Sequence, residues 1–103
     1  MIMDEKKLYS LLGLAQRAGR LASGDFAVTK AVQGKKVHLM LVAEDASEQT
    51  KAGYSQMARQ EKIELFYLGS REQLGHCIGK DFRAVIAVLD AGFANAIAGC
   101  FQP

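Results

Sequence analysis

The 103-residue sequence has no tryptophan, one proline and two cysteines, and each scarcity excludes a class of protein. The proline is the last residue, so no proline-rich linker divides the chain. Two cysteines, Cys77 and Cys100, are too few for a secreted scaffold held by disulfides. No apolar run approaches the ~20 residues that span a bilayer, and no secretory leader precedes the charged residues 4–7. We therefore expect a reduced, cytoplasmic protein that does not cross a membrane.

Hydrophobic residues make up 50% of the chain, enough for one core without a disulfide or a metal. The length is that of a single domain, which we expect to comprise residues 1–103. The net charge is only +2, yet residues 17–36 carry five basic residues and one acidic residue. A molecule polarised in this way presents one face to polyanions.

Helical and strand patterns alternate along the chain. Apolar residues at three- and four-residue spacing predict a first helix over residues 4–18, ended by Gly19. Short and almost wholly apolar runs predict strands at residues 37–43, 63–68 and 84–89. This alternation is typical of an α/β fold in which helices cover both faces of a small sheet.

Capping patterns mark where the later helices begin. Asp45 and Ser70 each precede a Glu or Gln by three residues, which is the spacing of a capping box. They predict a third helix that runs to about residue 60 and a short fourth helix that ends at Gly79. Asp90 is expected to cap the last helix.

The most basic part of the chain contains a predicted second helix. After an extended piece at residues 20–22, Ser23 can cap this helix, and Gly24 allows another molecule to approach the backbone closely. Helical spacing predicts a buried face on one side, while Lys30 projects to another. The predicted buried face consists of Val28, Ala31 and Val32. Positive charge beside a helix N-terminus is typical both of a site for anions and of a solvated helix end with ordinary surface lysines.

Candidate catalytic groups are few. Asp45 and Asp90 each follow a predicted strand, where α/β proteins often hold ligands, but helix capping is the simpler interpretation of both. Neighbours in a helix do not face each other, so His76 and Cys77 are not expected to form a dyad. His38 is interpreted as a core or strand-end histidine rather than a ligand. We therefore expect a protein without catalytic activity, cofactor or metal. The alternative is a small enzyme that uses Asp45 or Asp90.

Several sequence blocks recur in one known family. The blocks are Gly24 with residues 28–32, residues 43–47, and residues 73–80 ahead of residues 83–88. They resemble the ribosomal protein Seven-Ae superfamily of kink-turn RNA-binding proteins over nearly the whole chain. Residues 11–20 resemble its small bacterial, YlxQ-type branch. The resemblance implies a three-layer α-β-α sandwich with a small mixed sheet of about four strands, and RNA binding without catalysis.

The resemblance also implies an RNA-facing surface. In that family the start of the second helix contacts sheared G·A pairs of a kinked RNA, and the loop before the last strand packs on extruded bases. The expected RNA-binding residues are Gly24, Asp25, Phe26, Ala27, Lys30, Lys35, Lys36, Ile78, Gly79, Lys80 and Arg83, with Asp81 and Phe82 in the same loop. The expected partner is structured RNA of kink-turn or ribosomal kind, bound by a monomer.

One position departs from the family pattern. Phe26 and Ala27 stand where archaeal members have an Asn-Glu pair that reads the G·A edges, and neither side chain can hydrogen-bond a base. Asp25 adds a negative charge beside them. Two interpretations of Phe26 stay open, stacking on a base and packing into the protein. The departure also leaves open an interaction or assembly module that keeps the fold and has lost RNA readout.

Overall fold

Five helices and four strands alternate along residues 4–101, the part of the chain that the computed structural model describes. The helices are α1 (Glu5–Arg17), α2 (Asp25–Gln33), α3 (Glu48–Glu61), α4 (Arg71–Cys77) and α5 (Ala91–Gly99). The strands are β1 (Leu21–Ser23), β2 (Leu39–Val42), β3 (Glu64–Tyr67) and β4 (Val85–Val88). The predicted α/β fold is confirmed, and the extended piece before α2 is a strand.

The four strands form one mixed sheet in the order β1-β4-β2-β3. β4 runs antiparallel to both of its neighbours, whereas β2 and β3 are parallel. Every residue of the two central strands, β2 and β4, is buried, because helices cover both faces of the sheet. The carboxyl ends of β1, β2 and β3 therefore lie beside the amino end of β4. We call this edge, marked by Ser23, Val42, Tyr67 and Val85, the upper end of the sheet.

The helices form two layers, as the resemblance implied. α1 contacts α4 and α5 in one layer, while α2 and α3 pack on the sheet in the other. Two side-chain contacts join α2 and its exit to α3. The Tyr54 hydroxyl donates a hydrogen bond to the Asp25 carboxylate, and Lys35 Nζ lies 2.8 Å from Glu61 Oε1. These contacts tie together the layer that carries the basic segment.

The helix faces follow the predicted periodicity. α2 buries the three predicted residues, Val28, Ala31 and Val32. α3 buries Tyr54 and Ala58, whereas Met57 is half-buried. Each buried aliphatic side chain contributes about 1.5–3 kcal/mol relative to an exposed one, so packing rather than propensity holds these short helices.

The caps of α4 and α5 are confirmed. Ser70 Oγ accepts a hydrogen bond from the backbone N–H of Gln73 at 3.1 Å, and the Gln73 side chain accepts one in return from Ser70. Asp90 Oδ2 accepts from the N–H of Phe93 at 2.9 Å. In both helices a side chain satisfies an N–H group that the first turn leaves without a helical partner.

The prediction that Asp45 caps α3 is wrong. A turn over residues 44–45 delays the helix, and Ser47 caps it by accepting from the N–H of Thr50 at 3.1 Å. Asp45 Oδ1 instead accepts from the backbone N–H of Arg71 at 2.8 Å. The carboxylate therefore serves the start of α4, a helix that is distant in sequence.

The loop between α4 and β4 folds back onto α4 at Gly75. The Gly75 carbonyl accepts a hydrogen bond from the N–H of Lys80 at 2.8 Å. A Cβ atom on Gly75 would lie 1.4 Å from the carbonyl oxygen of Asp81, so no larger residue fits. This close approach sets the position of the loop, residues 78–83, relative to α4.

Replacing this glycine tests the close approach. Gly75→Ala is expected to lower the free energy of unfolding by about 1–3 kcal/mol, because the methyl group and the Asp81 carbonyl cannot share the same space. Gly53→Ala is the matched control, since Gly53 is an exposed residue of α3 and an added Cβ atom there meets nothing within 4 Å. It is expected to stabilise the helix by up to about 1 kcal/mol. Urea unfolding of both variants measures the two effects, and the same sign in both would contradict this account.

Candidate nucleic-acid interface

The start of α2 lies at the upper end of the sheet, directly after β1. Gly24 is its N-cap, with φ +86° and ψ 162°, a conformation that almost only glycine adopts. The Gly24 N–H donates to the carbonyl of Val85 at 3.0 Å, which ties the start of α2 to β4. The prediction that Ser23 caps α2 is wrong, because Ser23 still belongs to β1. Its Oγ accepts a hydrogen bond from Arg83 Nε at 3.3 Å.

The loop between α4 and β4 meets the start of α2 across a groove of about 440 Å³. The groove is lined by Ser23, Gly24, Asp25, Phe26, Ala27, Phe82, Arg83 and Ala84. Arg83 links its two sides, because Nε contacts Ser23 while a terminal guanidinium nitrogen donates to the carbonyl of Phe82 at 2.8 Å. The fold thus brings together two sets of expected RNA-binding residues that are far apart in sequence.

Two phenylalanine side chains are exposed at this groove. Phe26 is 81% exposed and Phe82 is 64% exposed. Lys30 Nζ lies 5.9 Å from the centroid of the Phe26 ring, so a cation and an aromatic ring share one exposed face of α2. The alternative in which Phe26 packs into the protein is wrong. Its position lies outside the helical stripe that includes Val28 and Val32, which is the face that α2 buries.

The charges around the groove are mixed, and its acidic group has a partner. Lys30 projects from α2, and Lys80 and Arg83 belong to the facing loop. The Asp25 carboxylate accepts a hydrogen bond from the hydroxyl of Tyr54, which is a buried residue of α3. Burial raises the pKa of Tyr54, and the contact with Asp25 raises it further, so the hydroxyl keeps its proton at neutral pH.

Lys35 and Lys36 lie far from this groove. They follow the last turn of α2, a nine-residue helix and therefore about 13 Å long. Lys35 adopts a left-handed backbone conformation with φ +59°, and its ammonium group pairs with Glu61 at the end of α3. Lys36 is exposed. A partner that contacts these lysines as well as Gly24 must extend along the whole of α2.

Two residues of the predicted contact loop have structural positions. Ile78 is 5% exposed and belongs to the hydrophobic core, so its side chain does not reach the surface. Gly79 has φ +73° and leads the chain out of α4. The exposed part of the loop therefore consists of Gly79, Lys80, Asp81 and Phe82.

Sequence reasoning missed two residues that shape the interface. Tyr54 is a buried residue of α3 whose hydroxyl reaches Asp25, 29 residues away, and only the tertiary structure reveals this contact. Gly75 belongs to the family block at residues 73–80, but sequence reasoning assigned it no role. A glycine inside a predicted short helix is itself a signal of close backbone approach, and that signal would have identified it.

The alternative catalytic groups are separated or occupied. β2 and β4 are antiparallel, so Asp45 and Asp90, which follow them, lie at opposite ends of the sheet. Cys77 Sγ donates to the carbonyl of Leu74 at 3.1 Å, and burial raises the pKa of the Cys77 thiol to about 11. At neutral pH this thiol is protonated and a weak nucleophile.

Among residues 4–101, no three His, Cys, Asp or Glu side chains group together as metal ligands would. The helices in the same range are all too short or too polar to cross a membrane.

The backbone conformation of Gly24 can be tested against that of Gly34 at the other end of α2. Gly24→Ala is expected to cost about 1–3 kcal/mol of stability, because L-residues rarely adopt a φ near +86°. Steric contact is not the cause, since the nearest atom to an added Cβ is Arg83 Cδ at 3.9 Å. Gly34→Ala, at φ −82°, is expected to change stability by less than about 1 kcal/mol. Thermal unfolding of both variants compares them, and equal losses would contradict the assignment of strain to Gly24.

Comparison with known proteins identifies the family. Residues 6–98 match the ribosomal protein L7Ae/L30e/S12e/Gadd45 family. A relative from Bacillus subtilis (strain 168), named RNA-binding protein YlxQ, is 38% identical over 95 residues, which are 92% of this chain and 95% of that protein. Another of the same name, from Enterococcus faecium, is 34% identical over 92 residues, 89% of this chain and 88% of that protein. A solved structure of a protein with unknown function from Bacillus halodurans C has a TM-score of 0.90 and 39% identity, covering 97% of this chain and 100% of that chain. The resemblance inferred from the sequence is confirmed, and the chain belongs to the ribosomal protein L7Ae/L30e/S12e/Gadd45 family.

Proposed function

We propose that this protein binds structured RNA, without catalysing a reaction, at a bend of kink-turn kind where bases are unpaired. The names of its relatives support RNA as the class of partner. One observation carries the proposal, the groove in which the start of α2 faces the loop before β4. The groove combines the exposed rings of Phe26 and Phe82 with the cation Arg83, and a second cation, Lys30, lies beside the Phe26 ring. Aromatic rings stack on bases of any sequence, and the cations attract phosphates.

The exposed rings favour an RNA with free base faces. In a continuous A-form helix the bases stack on one another, so a phenylalanine at the surface meets sugar, phosphate and base edges but no free base face. A kinked RNA leaves extruded bases and an open stack end, either of which can pack on Phe26 or Phe82. Since Phe26 and Ala27 cannot hydrogen-bond a base edge, recognition relies on stacking, phosphate contacts and the shape of the bend.

The backbone at Gly24 supports the same proposal. Its missing side chain leaves the first turn of α2 open on the groove side, where the nearest protein atom to an added Cβ is 3.9 Å away. The first N–H groups of a helix attract anions, so an RNA phosphate can approach the backbone here. Arg83 lies across the groove, so its guanidinium can contact the same RNA strand.

Direct titration tests this function. The protein is mixed with a kink-turn RNA and with a straight duplex of matched length and composition, at several salt concentrations. Tighter binding to the kinked RNA that persists at moderate salt is the expected result. Weak and equal binding to both RNAs would overturn the proposal, because surface charge alone produces such binding.

Phe26→Ala tests stacking. The variant is expected to lose about 1–3 kcal/mol of binding free energy for the kinked RNA, because one aromatic platform is removed. Tyr67→Ala is the control, because it removes another exposed aromatic ring, which is 41% exposed. Tyr67 lies on β3, which is separated by three strand spacings, or about 14 Å, from β1. This control variant is expected to bind like the unmodified protein. Equal losses in the two variants would argue against a base-stacking role for Phe26.

Lys30→Ala and Lys35→Ala distinguish the two ends of α2. Lys30→Ala is expected to cost about 1–3 kcal/mol of binding, because Nζ lies beside the Phe26 ring within the base-contacting region. Lys35→Ala is expected mainly to lower the slope of log K against log salt, by about one, if RNA extends along α2. Salt-dependent titrations measure both. A larger affinity loss from Lys35→Ala would contradict the assignment of base contacts to the start of α2.

A protein-interaction module is the second candidate, and the same exposed rings favour it. Phe26 and Phe82 are apolar side chains that a partner protein could also bury. Co-purification from cells with and without nuclease separates the candidates. Protein partners that survive nuclease treatment, with no RNA enriched beforehand, would favour the second one.

The cellular setting is part of the RNA-binding proposal. We propose that the RNA is ribosomal or ribosome-associated, and that the protein acts as a cytoplasmic monomer in a ribonucleoprotein. Crosslinking in cells followed by sequencing of the recovered RNA identifies the partner. Sedimentation of the purified protein measures its oligomeric state.

A further inference from the structure

Asp25 is the acidic residue that lines the proposed RNA groove, and it is directed to a partner outside the groove. Its Oδ1 accepts a hydrogen bond from the hydroxyl of Tyr54. Tyr54 belongs to α3 and is 7% exposed, so its ring is held by the core. The hydroxyl therefore provides a fixed donor for a carboxylate that is itself exposed.

Arg83 lines the same groove as Asp25, yet the two are not paired. Among residues 4–101, no ion pair joins Asp25 to a lysine or arginine. Arg83 donates instead to Ser23 Oγ and to the carbonyl of Phe82, both uncharged acceptors. The positive charge of its guanidinium is therefore not neutralised by an acidic side chain.

Without the Tyr54 hydroxyl, Asp25 would have other positions available. An exposed aspartate at the start of a helix samples several rotamers, and oppositely charged groups that face one groove attract each other. A released carboxylate would turn towards Arg83 or the first N–H groups of α2. Both are groups that a phosphate needs, so the carboxylate would compete with RNA there.

We propose that Tyr54 is a positioning residue that holds the Asp25 carboxylate against α3 and so keeps Arg83 free for RNA phosphate. The inference rests on the proposed RNA-binding function and adds a control of charge within the same groove. The raised pKa of Tyr54 agrees with it, because a hydroxyl that keeps its proton remains a donor throughout the neutral range. In this view the negative charge of Asp25 is tolerated at an RNA-facing surface because a buried side chain orients it.

A double-mutant cycle with kink-turn RNA tests the inference. Tyr54→Phe removes one oxygen and keeps the ring, and is expected to weaken binding about threefold or more, because residues in contact couple by this amount. It is also expected to lower the salt slope by about one, as Arg83 becomes neutralised. In the Asp25→Asn protein no carboxylate can neutralise Arg83, so Tyr54→Phe is expected to change affinity less than about twofold there, and Asp25→Asn is expected to restore the affinity that Tyr54→Phe alone loses.

Two further variants complete the design. Asp25→Glu keeps the charge but lengthens the side chain, so it is expected to miss the hydroxyl and weaken binding while Asp25→Asn does not. This variant tests the inference independently of how Tyr54→Phe folds. Tyr9→Phe is the control for loss of a buried hydroxyl, since Tyr9 lies in α1, in the opposite helix layer, and its Oη has no hydrogen-bond partner among the described residues. It is expected to bind RNA unchanged.

The outcomes separate the inference from the function on which it rests. If the unmodified protein does not prefer the kinked RNA, the proposed function fails and the inference fails with it. If the unmodified protein prefers kinked RNA but Tyr54→Phe and Asp25→Asn act additively, only the inference is overturned. A loss in Tyr54→Phe that Asp25→Asn does not restore would show a purely structural role for Tyr54, and would also overturn it. Restored affinity together with a restored salt slope supports it.

Discussion

The interface depends on the antiparallel placement of β4 between β1 and β2. Because β4 runs opposite to β1, the helix that leaves β1 and the loop that enters β4 meet at one end of the sheet. The hydrogen bond from the Gly24 N–H to the Val85 carbonyl closes this junction. If β4 ran parallel to β1, the loop and the start of α2 would lie at opposite ends, and the groove would not exist. Strand direction, rather than any single side chain, therefore creates the surface.

The same constraint decides which residues cannot act together. Asp45 and Asp90 both follow strands, but these strands are antiparallel, and the sheet keeps the two carboxylates apart. Lys35 leaves α2 at the end away from the groove and pairs with Glu61. A basic segment that is continuous in sequence is thus divided in space. Only its middle part, around Gly24 and Lys30, lies at the end of the sheet where the loop enters β4.

The groove combines apolar rings that would be more stable in a protein core with groups that the core holds in place. Phe26 and Phe82 remain in water, at a cost of the order of 1.5–3 kcal/mol each relative to burial. Behind them, the contact of Gly75 with Asp81 fixes the loop, and the Tyr54 hydroxyl orients a carboxylate at the surface. These two contacts hold the loop backbone and the carboxylate in place before any partner binds.

The sequence by itself determined the features that depend on neighbours within four or five residues. Helical periodicity, the caps at Ser70 and Asp90, and the buried strands are of this kind, and the family blocks added the architecture. The capping pattern predicted the wrong cap for α3, because Asp45 and Ser47 are both good capping residues. The turn over residues 44–45 makes Ser47 the cap. Only the tertiary structure decided that Phe26 and Phe82 line one groove and that Tyr54 reaches its partner 29 residues away. Those outcomes depend on which helix faces are covered and which strand ends meet, and such contacts leave no periodic signal in the chain.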